Sequence, residues 1–539
     1  MATYKNIFKK LALGTLAVSG AMMTTSCNDW LAEESPGSTK LEDFYTSGSA
    51  CLLTVNGCYT PLAWEYNNTY YPEWMIGDIA SDDALKGGQN VADGKDAYDI
   101  DNFKTNANNV VMLDYYRAKY QGIIRCNLAL REIAAYEPDE TLTKEEKERY
   151  LGEAYFLRGL YYFQLVRVFG GVPMIDFVIE SADNWKQPRA SEQEVYAHIL
   201  SDLKEAETRL WDKNKYTEED AGRATRGAAQ ALLLKVNLYN KNYEEAYNWG
   251  KKFMDEQYQT GIYSLFGDYA QNFTLGGENG VESVFEIQYM ADPMSDYGEG
   301  NGFSRGTFST ILTRPRMSAL GGNAGWGWDH PTQDLYDAFE AGDPRREMTV
   351  GVPDAEAQAE IEVNYLGSPY YNIKTSYYEG GIFPSLDHAS RSPLNYRLIR
   401  LSDVMLLYAE AALESGKDLN AAKTMLELVR ARARAQATAA NALPAFPNYL
   451  GFSDNTESLR QAIRHERRVE LGMEGHRWFD LVRWGIAADV MDKDNGSYGS
   501  KESEEARAEM ASFVRGKHEL FPIPAEEIAL NPMSQNPGY

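Results

Sequence analysis

Cysteine is scarce in this chain of 539 residues, which contains four. Cys27 stands at the end of an apolar stretch near the start of the chain, which leaves Cys51, Cys58 and Cys126. If Cys51 and Cys58 share a helix, they are about 10 Å apart along its axis, which is too far for a disulfide bond. We therefore expect these three cysteines to be small apolar residues of the core.

Positive charge is also in short supply. The chain has 53 lysines and arginines against 79 aspartates and glutamates, a formal net charge of -26. Residues 1–26 carry three lysines and no acid, so their removal would make the charge -29. A phosphate backbone or an anionic membrane surface is bound by clustered basic side chains. This composition therefore argues against nucleic acid as a partner.

Long apolar stretches are absent apart from the one at the N-terminus. Lys5, Lys9 and Lys10 precede an apolar stretch over residues 11–23, which is too short to span a bilayer, and Cys27 follows small polar residues. This pattern predicts a lipoprotein signal peptide over residues 1–26, with a lipid attached to Cys27 that would hold the protein to a membrane. The alternative is an ordinary secretory signal without a lipid.

A convincing catalytic constellation is missing as well. His465 and Glu466 begin like a zinc-protease motif, but Val469 occupies the position of the second histidine ligand. Residues 302–306 match the sequence pattern of a nucleophile elbow around Ser304. No clear strand precedes them and no clear helix follows them, although that motif requires both. Residues 492–496 resemble a calcium loop that lacks its fifth-position acceptor. We expect no catalytic residues, no metal and no cofactor.

What the chain does contain is helical periodicity. Apolar residues recur at helical spacing over residues 113–136, 144–169, 191–210, 225–239 and 243–253, and again over 406–434 and 457–491. This predicts an all-α fold, a tetratricopeptide-like scaffold with helical pairs at about 110–260 and 396–492. Residues 261–395, rich in Gly, Asn, Tyr and Trp, are predicted to be a loop-rich insertion with a few short strands such as 283–288.

Three glutamates, Glu466, Glu470 and Glu474, recur at four-residue spacing and would repel one another on one helix face unless countered. We expect a partly buried ion network that clamps the C-terminal helices. The available counterions are Arg467, Arg477, Arg483, and Arg397 or Arg400. The alternative is a pair of catalytic carboxylates, as in glycoside hydrolases, which would have to straddle an open cleft.

Aromatic residues are abundant, with 36 Tyr, 20 Phe and 10 Trp. Trp326 and Trp328 stand between glycines, and Tyr297 and Asn301 lie in a neighbouring glycine-rich loop. Flat rings and planar polar groups suit the stacking and hydrogen bonding of sugars, so these four residues are candidate glycan contacts. The alternative is that the rings pack in the core.

Several motifs together resemble a known family. They are the block 464–471, the run Gly475-His476-Arg477-Trp478-Phe479-Asp480-Leu481, Phe521-Pro522-Ile523-Pro524, and the terminal Gln535-Asn536-Pro537-Gly538-Tyr539. On these residues the chain resembles the SusD/RagB family of outer-membrane nutrient-binding lipoproteins. The resemblance extends over most of the chain and implies a single domain over residues 27–539. Residues 326–335 also resemble a stretch that is widely shared in the family, which favours a scaffold role for the two tryptophans.

The resemblance implies a protein that does not catalyse a reaction. Such a lipoprotein, anchored in the outer membrane and facing the cell exterior, would bind oligosaccharide or polysaccharide and pass it to a SusC-like, TonB-dependent transporter. The alternative cargo is peptide or another non-sugar nutrient, and a glycoside hydrolase or esterase is the less favoured reading. The segment from Gly77 to Gly88 resembles the part of the family that approaches the binding face. It adds Asp83, Tyr98 and Trp74 as candidate glycan contacts.

Overall fold

A stack of antiparallel helices forms the body of the protein, as the periodicity predicts. The computed structural model describes residues 44–65, 72–181, 184–292, 305–316, 323–353, 368–439, 442–498 and 504–539. Cys27, Tyr297, Asn301 and Ser304 lie outside these residues, so the predictions made for them stay predictions. The first helices are α1 (Gly48–Tyr59), α2 (Trp74–Gly77), α3 (Lys95–Asp101), α4 (Val110–Ala135), α5 (Lys144–Phe169), α6 (Glu192–Arg209), α7 (Arg226–Tyr239) and α8 (Tyr243–Phe253).

Helices α4 to α8 pack one against the next in chain order, and α1 lies against α4 and α5. The described residues of the insertion form three short helices: α9 (Ser309–Thr313), α10 (Gln333–Ala338) and α11 (Arg345–Thr349). The remaining helices are α12 (Leu401–Glu414), α13 (Leu419–Gln436), α14 (Thr456–Leu471), α15 (Arg477–Arg483), α16 (Ala487–Met491), α17 (Glu504–Glu509) and α18 (Ala525–Leu530). Because α12 packs against α8, the stack continues past the insertion.

The ends of the long helices are determined by local sequence. Helix α5 begins at a capping box, in which the side chains of Thr143 and Glu146 each accept a hydrogen bond from the other residue's backbone N–H. The helix ends before Gly170, which has a φ of 70°. Ser191 and Glu194 form the same capping box at the start of α6, as their spacing predicts. These local signals explain why the observed bounds agree closely with those read from periodicity.

Three antiparallel strand pairs accompany the described helices. Strand β1 (Ala84–Gly87) pairs with β3 (Trp328–Pro331), β2 (Ser283–Ile287) pairs with β6 (Tyr396–Arg400), and β4 (Val350–Gly351) pairs with β5 (Tyr371–Asn372). In the second pair Ser283 lies opposite Arg400, directly before α12. The β2–β6 pair therefore joins the insertion to the point where the helical stack resumes.

The core contains the three described cysteines. Cys51, Cys58 and Cys126 are fully buried free thiols, which confirms their prediction as core residues. Within the part of the chain that the structure describes, we find no helix whose length and apolar character would let it cross a membrane.

The C-terminal tail closes the end of α5. The side-chain amide of Asn536 donates hydrogen bonds to the carbonyl oxygens of Phe169 at 3.0 Å and Phe521 at 2.7 Å. The backbone N–H of Phe521 donates to the Val168 carbonyl at 2.9 Å. The tail thus satisfies carbonyl groups that a helix end leaves without intrahelical partners. This is the structural role of the two terminal motifs found in the sequence.

Candidate functional site

The three glutamates of the C-terminal block lie in a buried ion network. Glu470 is fully buried, and its carboxylate is within 2.5 Å of Arg432, 2.6 Å of Arg400 and 3.1 Å of Arg345. Burial alone would raise the pKa of Glu470, but the charges of Arg432, Arg400 and Arg345 hold it well below its usual range. Glu470 is therefore an ionised, fully paired group.

The neighbouring glutamates are paired in the same way. Glu466 contacts Arg345 at 2.5 Å and Arg430 at 3.1 Å, and Glu474 contacts Lys374 and Arg400, each at 2.7 Å. The predicted ion network is confirmed, but of the expected counterions only Arg400 binds these glutamates. Carboxylates buried among arginines do not straddle an open cleft, which removes the hydrolase reading of this block.

The acidic run after α2 also binds the C-terminal helices. Asp83 is fully buried and pairs with Arg468 at 2.8 Å, and Asp82 accepts two hydrogen bonds from Arg477 at 2.7 and 2.8 Å. A carboxylate whose oxygens are buried against guanidinium groups cannot accept hydrogen bonds from a sugar in solvent. The expectation that Asp83 contacts a glycan is therefore corrected: Asp83 attaches the start of β1 to α14.

Two of the candidate aromatic residues, Trp74 and Tyr98, also belong to the interior. Trp74 is 0% exposed and donates from its indole N–H to the Ser309 hydroxyl at 2.8 Å. Tyr98 is 5% exposed and its hydroxyl donates to Glu509 at 2.8 Å. Stacking on a sugar requires an uncovered ring face. We therefore assign Trp74 and Tyr98 to the scaffold and not to a binding surface.

Trp328, in β3, is covered by Lys86 and Gly94. The Lys86 ammonium lies 4.1 Å from its ring centroid, and the Cα of Gly94 approaches so closely that an added Cβ would be 2.3 Å from the ring. Its indole N–H donates to Asp93 at 3.2 Å. Burial lowers the pKa of the Lys86 ammonium to about 8, in spite of the opposing charge of Asp93. With 2% of its surface exposed, Trp328 supports the neighbouring loop and offers no face to a ligand.

Trp326 is the one predicted aromatic contact, among those that the structure describes, that remains partly exposed. Its ring packs beside Phe308, with centroids 5.4 Å apart and planes inclined by 60°. Its backbone N–H donates to the Ile311 carbonyl at 2.8 Å, and the flanking Gly327 N–H donates to Arg314 at 3.0 Å. The loop 323–327 is therefore fixed against α9, which holds the Trp326 ring in place.

Two exposed amide side chains follow the glycine that is hydrogen-bonded to the Trp326 loop. The Gly88 N–H donates to the Gly327 carbonyl at 2.6 Å, so Gln89 and Trp326 are each one residue away from that hydrogen bond. Gln89 and Asn90 are exposed, and the Asn90 side chain accepts from the Ala92 N–H at 2.9 Å. We call Gln89, Asn90 and Trp326 the Trp326 face; Phe308 is buried and packs beside the ring. The sequence reasoning missed the two amides, although two consecutive glycines precede them.

The Trp326 face has the chemistry of a binding surface. A fixed, partly exposed ring can stack on an apolar face of a ligand, and exposed amides can bind its hydroxyl groups. In the residues that the structure describes, no three His, Cys, Asp or Glu side chains are grouped so as to hold a metal ion. Asp492, in the calcium-like loop, accepts hydrogen bonds from the N–H groups of Asp494 at 2.9 Å and Asn495 at 3.0 Å, which is ordinary turn chemistry.

Comparisons with known proteins agree with the resemblance seen in the sequence. Residues 281–539 match the family model described as SusD family, and residues 29–238 match the one described as starch-binding associating with outer membrane. A SusD-like protein, P25, of Formosa agariphila is 25% identical, and the alignment covers 95% of this chain and 97% of that protein.

Solved structures share the fold. A laminarin-binding SusD-like protein is 29% identical with a TM-score of 0.74, and the match covers 91% of this chain and 98% of that chain. Surface glycan-binding protein A from Bacteroides thetaiotaomicron, in complex with laminarihexaose, is 24% identical with a TM-score of 0.74 and coverages of 91% and 100%. At that identity the second similarity shows the fold alone.

Proposed function

Because the chain belongs to the SusD/RagB family, we propose that it is a non-catalytic, cell-surface lipoprotein that captures oligosaccharide or polysaccharide. The observation that carries this proposal is the Trp326 ring, which is partly exposed and belongs to a loop that is held by backbone hydrogen bonds. The similar solved protein that binds laminarin supports a glycan as the ligand.

The proposal includes the route of the glycan after capture. A lipid on Cys27 would anchor the protein in the outer membrane, and the bound glycan would pass to a SusC-like, TonB-dependent transporter. Support for this part is the family membership together with the match to a family described as associating with the outer membrane. The net charge of -26 supports a neutral ligand over nucleic acid.

Replacing Trp326 by alanine is expected to weaken glycan binding by about 10- to 100-fold, since a fixed aromatic residue at the centre of a binding surface contributes a large share of the affinity. The measurement is isothermal titration of the purified protein with laminarin, soluble starch and a panel of other soluble glycans. Trp185→Ala is the matched control, because Trp185 is also half-buried and packs beside Lys186 in a different loop.

The control variant should bind as the wild type does. Equal affinity of Trp326→Ala and wild type would overturn the assignment of the site. If the wild-type protein bound no glycan of the panel, the glycan proposal itself would fail, and peptide cargo would be the next class to titrate.

A further inference from the structure

We infer that Cys58 and Cys126 form a disulfide bond between α1 and α4 when the protein folds in the presence of an oxidant. In the structure both residues are free thiols without exposed surface. Disulfide bonds form and persist outside the cytoplasm, which is where the proposed function places the protein. The bond itself is a property of the fold and needs neither a glycan nor a membrane.

The two thiols contact each other. The Cys126 thiol makes a hydrogen bond with the Cys58 side chain. Cys58 donates from its own Sγ to the Thr54 carbonyl at 3.5 Å, so the lone pairs of that sulfur remain to accept the Cys126 proton. The fold thus brings together two cysteines that are 68 positions apart in the sequence.

The two helices are also joined beside the sulfur atoms. The Arg125 guanidinium donates to the Gly57 carbonyl at 3.3 Å, and these residues directly precede Cys126 and Cys58. Helices that pack directly have axes about 8–10 Å apart, with Cα atoms about 2.3 Å from each axis. Facing Cα atoms can then be about 4 to 5 Å apart, close to the range of about 4.4–6.8 Å that a disulfide bond requires.

Tyr161, in α5, contacts both helices at the same place. Its hydroxyl donates to the Cys58 carbonyl at 2.7 Å. Gly122, one helical turn before Cys126, lies so close to the Tyr161 ring that an added Cβ would be 2.2 Å from it. Because α5 holds the two cysteine-bearing turns against one ring, their approach is fixed by packing and does not depend on the sulfur atoms.

The bond forms by exchange with a low-molecular-weight or protein disulfide. The thiolate of one cysteine attacks a sulfur of that disulfide, which gives a mixed disulfide and releases one thiolate. The thiolate of the second cysteine attacks the cysteine sulfur of the mixed disulfide, closes the Sγ–Sγ bond and releases the second thiolate. The two electrons reduce the disulfide of the oxidant, and the two protons lost by the cysteines pass to the released thiolates.

The exchange has to precede the final burial of the pair. Burial, together with the hydrogen bond to Cys58, raises the pKa of the Cys126 thiol well above its ordinary value, so the folded protein holds it in the unreactive form. Both residues are also 0% exposed, which denies an oxidant access. The bond is therefore made while α1 docks on α4, and the finished fold protects it from reductants.

Cys51 provides an internal control on the same helix. It is fully buried, and it lies about 10 Å from Cys58 along the axis of α1, which is too far for a bond. The charged groups that act on its thiol are Lys147, Asp139 and Glu132. We therefore expect Cys51 to stay a free thiol under conditions in which the other two are joined.

The test refolds the purified full chain from guanidinium chloride in a mixture of reduced and oxidised glutathione. Free thiols are then alkylated with iodoacetamide in denaturant, and the peptides are mapped by mass spectrometry with and without prior reduction. We expect a peptide pair joined through Cys58 and Cys126 in most molecules, with Cys51 alkylated. Protein refolded with dithiothreitol should unfold at a temperature about 3 to 5 °C lower, because the bond closes a long loop.

Two variants and three outcomes decide the inference. Cys51→Ala should give the same joined pair and the same difference in unfolding temperature, whereas Cys126→Ala should give neither. Alkylated Cys58 and Cys126 in the unreduced protein would overturn the inference, as would a bond from either of them to Cys51 or Cys27. If the joined protein did not unfold at a higher temperature, the bond would belong to a misfolded chain and the inference would fall.

These outcomes are independent of the proposed function. The refolding uses no glycan and no transporter, so the absence of the bond would leave glycan capture through Trp326 as it stands. Conversely, a protein that bound no glycan of the panel could still join Cys58 to Cys126.

Discussion

Replacing Glu470 by alanine is expected to lower the free energy of unfolding by about 3 to 5 kcal/mol, the range observed when one partner of a buried ion pair is removed. Glu470 faces Arg345, Arg400 and Arg432 without access to solvent. Its loss would bring three guanidinium groups together with less negative charge between them. Urea unfolding followed by circular dichroism provides the measurement.

The same helix offers a matched control. Glu457, in the first turn of α14, is exposed and pairs with Arg460 at the surface. Glu457→Ala is expected to change the stability by less than about 1 kcal/mol, as exposed ion pairs usually do. If Glu470→Ala were no less stable than Glu457→Ala, the ion network would contribute nothing to folding.

Replacing Asp329 by asparagine is expected to stabilise the protein by about 2 to 4 kcal/mol at pH 8 and to leave it unchanged below pH 4. Asp329 is fully buried in β3 and accepts a hydrogen bond from the Asn372 amide at 2.8 Å. Burial, together with the nearby carboxylate of Asp83, raises the pKa of Asp329 to about 8. Burial and Asp329 likewise raise the pKa of Asp78.

The direction of the pH dependence follows from the raised pKa. The folded protein keeps the Asp329 proton at a pH where the unfolded chain releases it, so this group favours folding fully below the unfolded pKa. That contribution is lost as the pH rises from about 4 through about 8. Asparagine has the shape of the protonated acid and does not titrate, so the stability of the variant should not decline in this window.

Thermal unfolding between pH 4 and 9 measures the difference between the two proteins. The exposed Asp337, on α10, provides the control Asp337→Asn, for which a change below about 0.5 kcal/mol is expected across the range. A lower stability of Asp329→Asn at pH 8 would show that the folded protein holds Asp329 as an ionised carboxylate, contrary to the raised pKa.

The helical scaffold could be predicted because its signals are local. The bounds of α5 and α8 agree with residues 144–169 and 243–253 as read from periodicity, because apolar spacing marks both segments and a capping box marks the start of α5. The ion network was also predictable, because glutamates at four-residue spacing need countercharges, although Glu474 lies beyond the end of α14 and not on the same helix face.

What could not be predicted depends on contacts between distant segments. Arg345 and Lys374 come from the insertion, and no spacing in the sequence indicates that they reach α14 and the residues after it. Likewise, the glycines beside Trp328 suggested an open ring, whereas Lys86 and Gly94, more than 200 residues earlier, cover it. Whether a ring is exposed depends on the whole fold. A glycine beside the ring lacks a side chain that could cover it, but distant segments can still cover the ring.

The position of Asn536 has a consequence for how the protein is made. Its amide joins the end of α5 to residues near the chain terminus, so a ribosome must release nearly the whole polypeptide before that junction can form. Early segments can collapse during translation, but the carbonyl groups at the end of α5 receive these hydrogen bonds only after Asn536 has emerged.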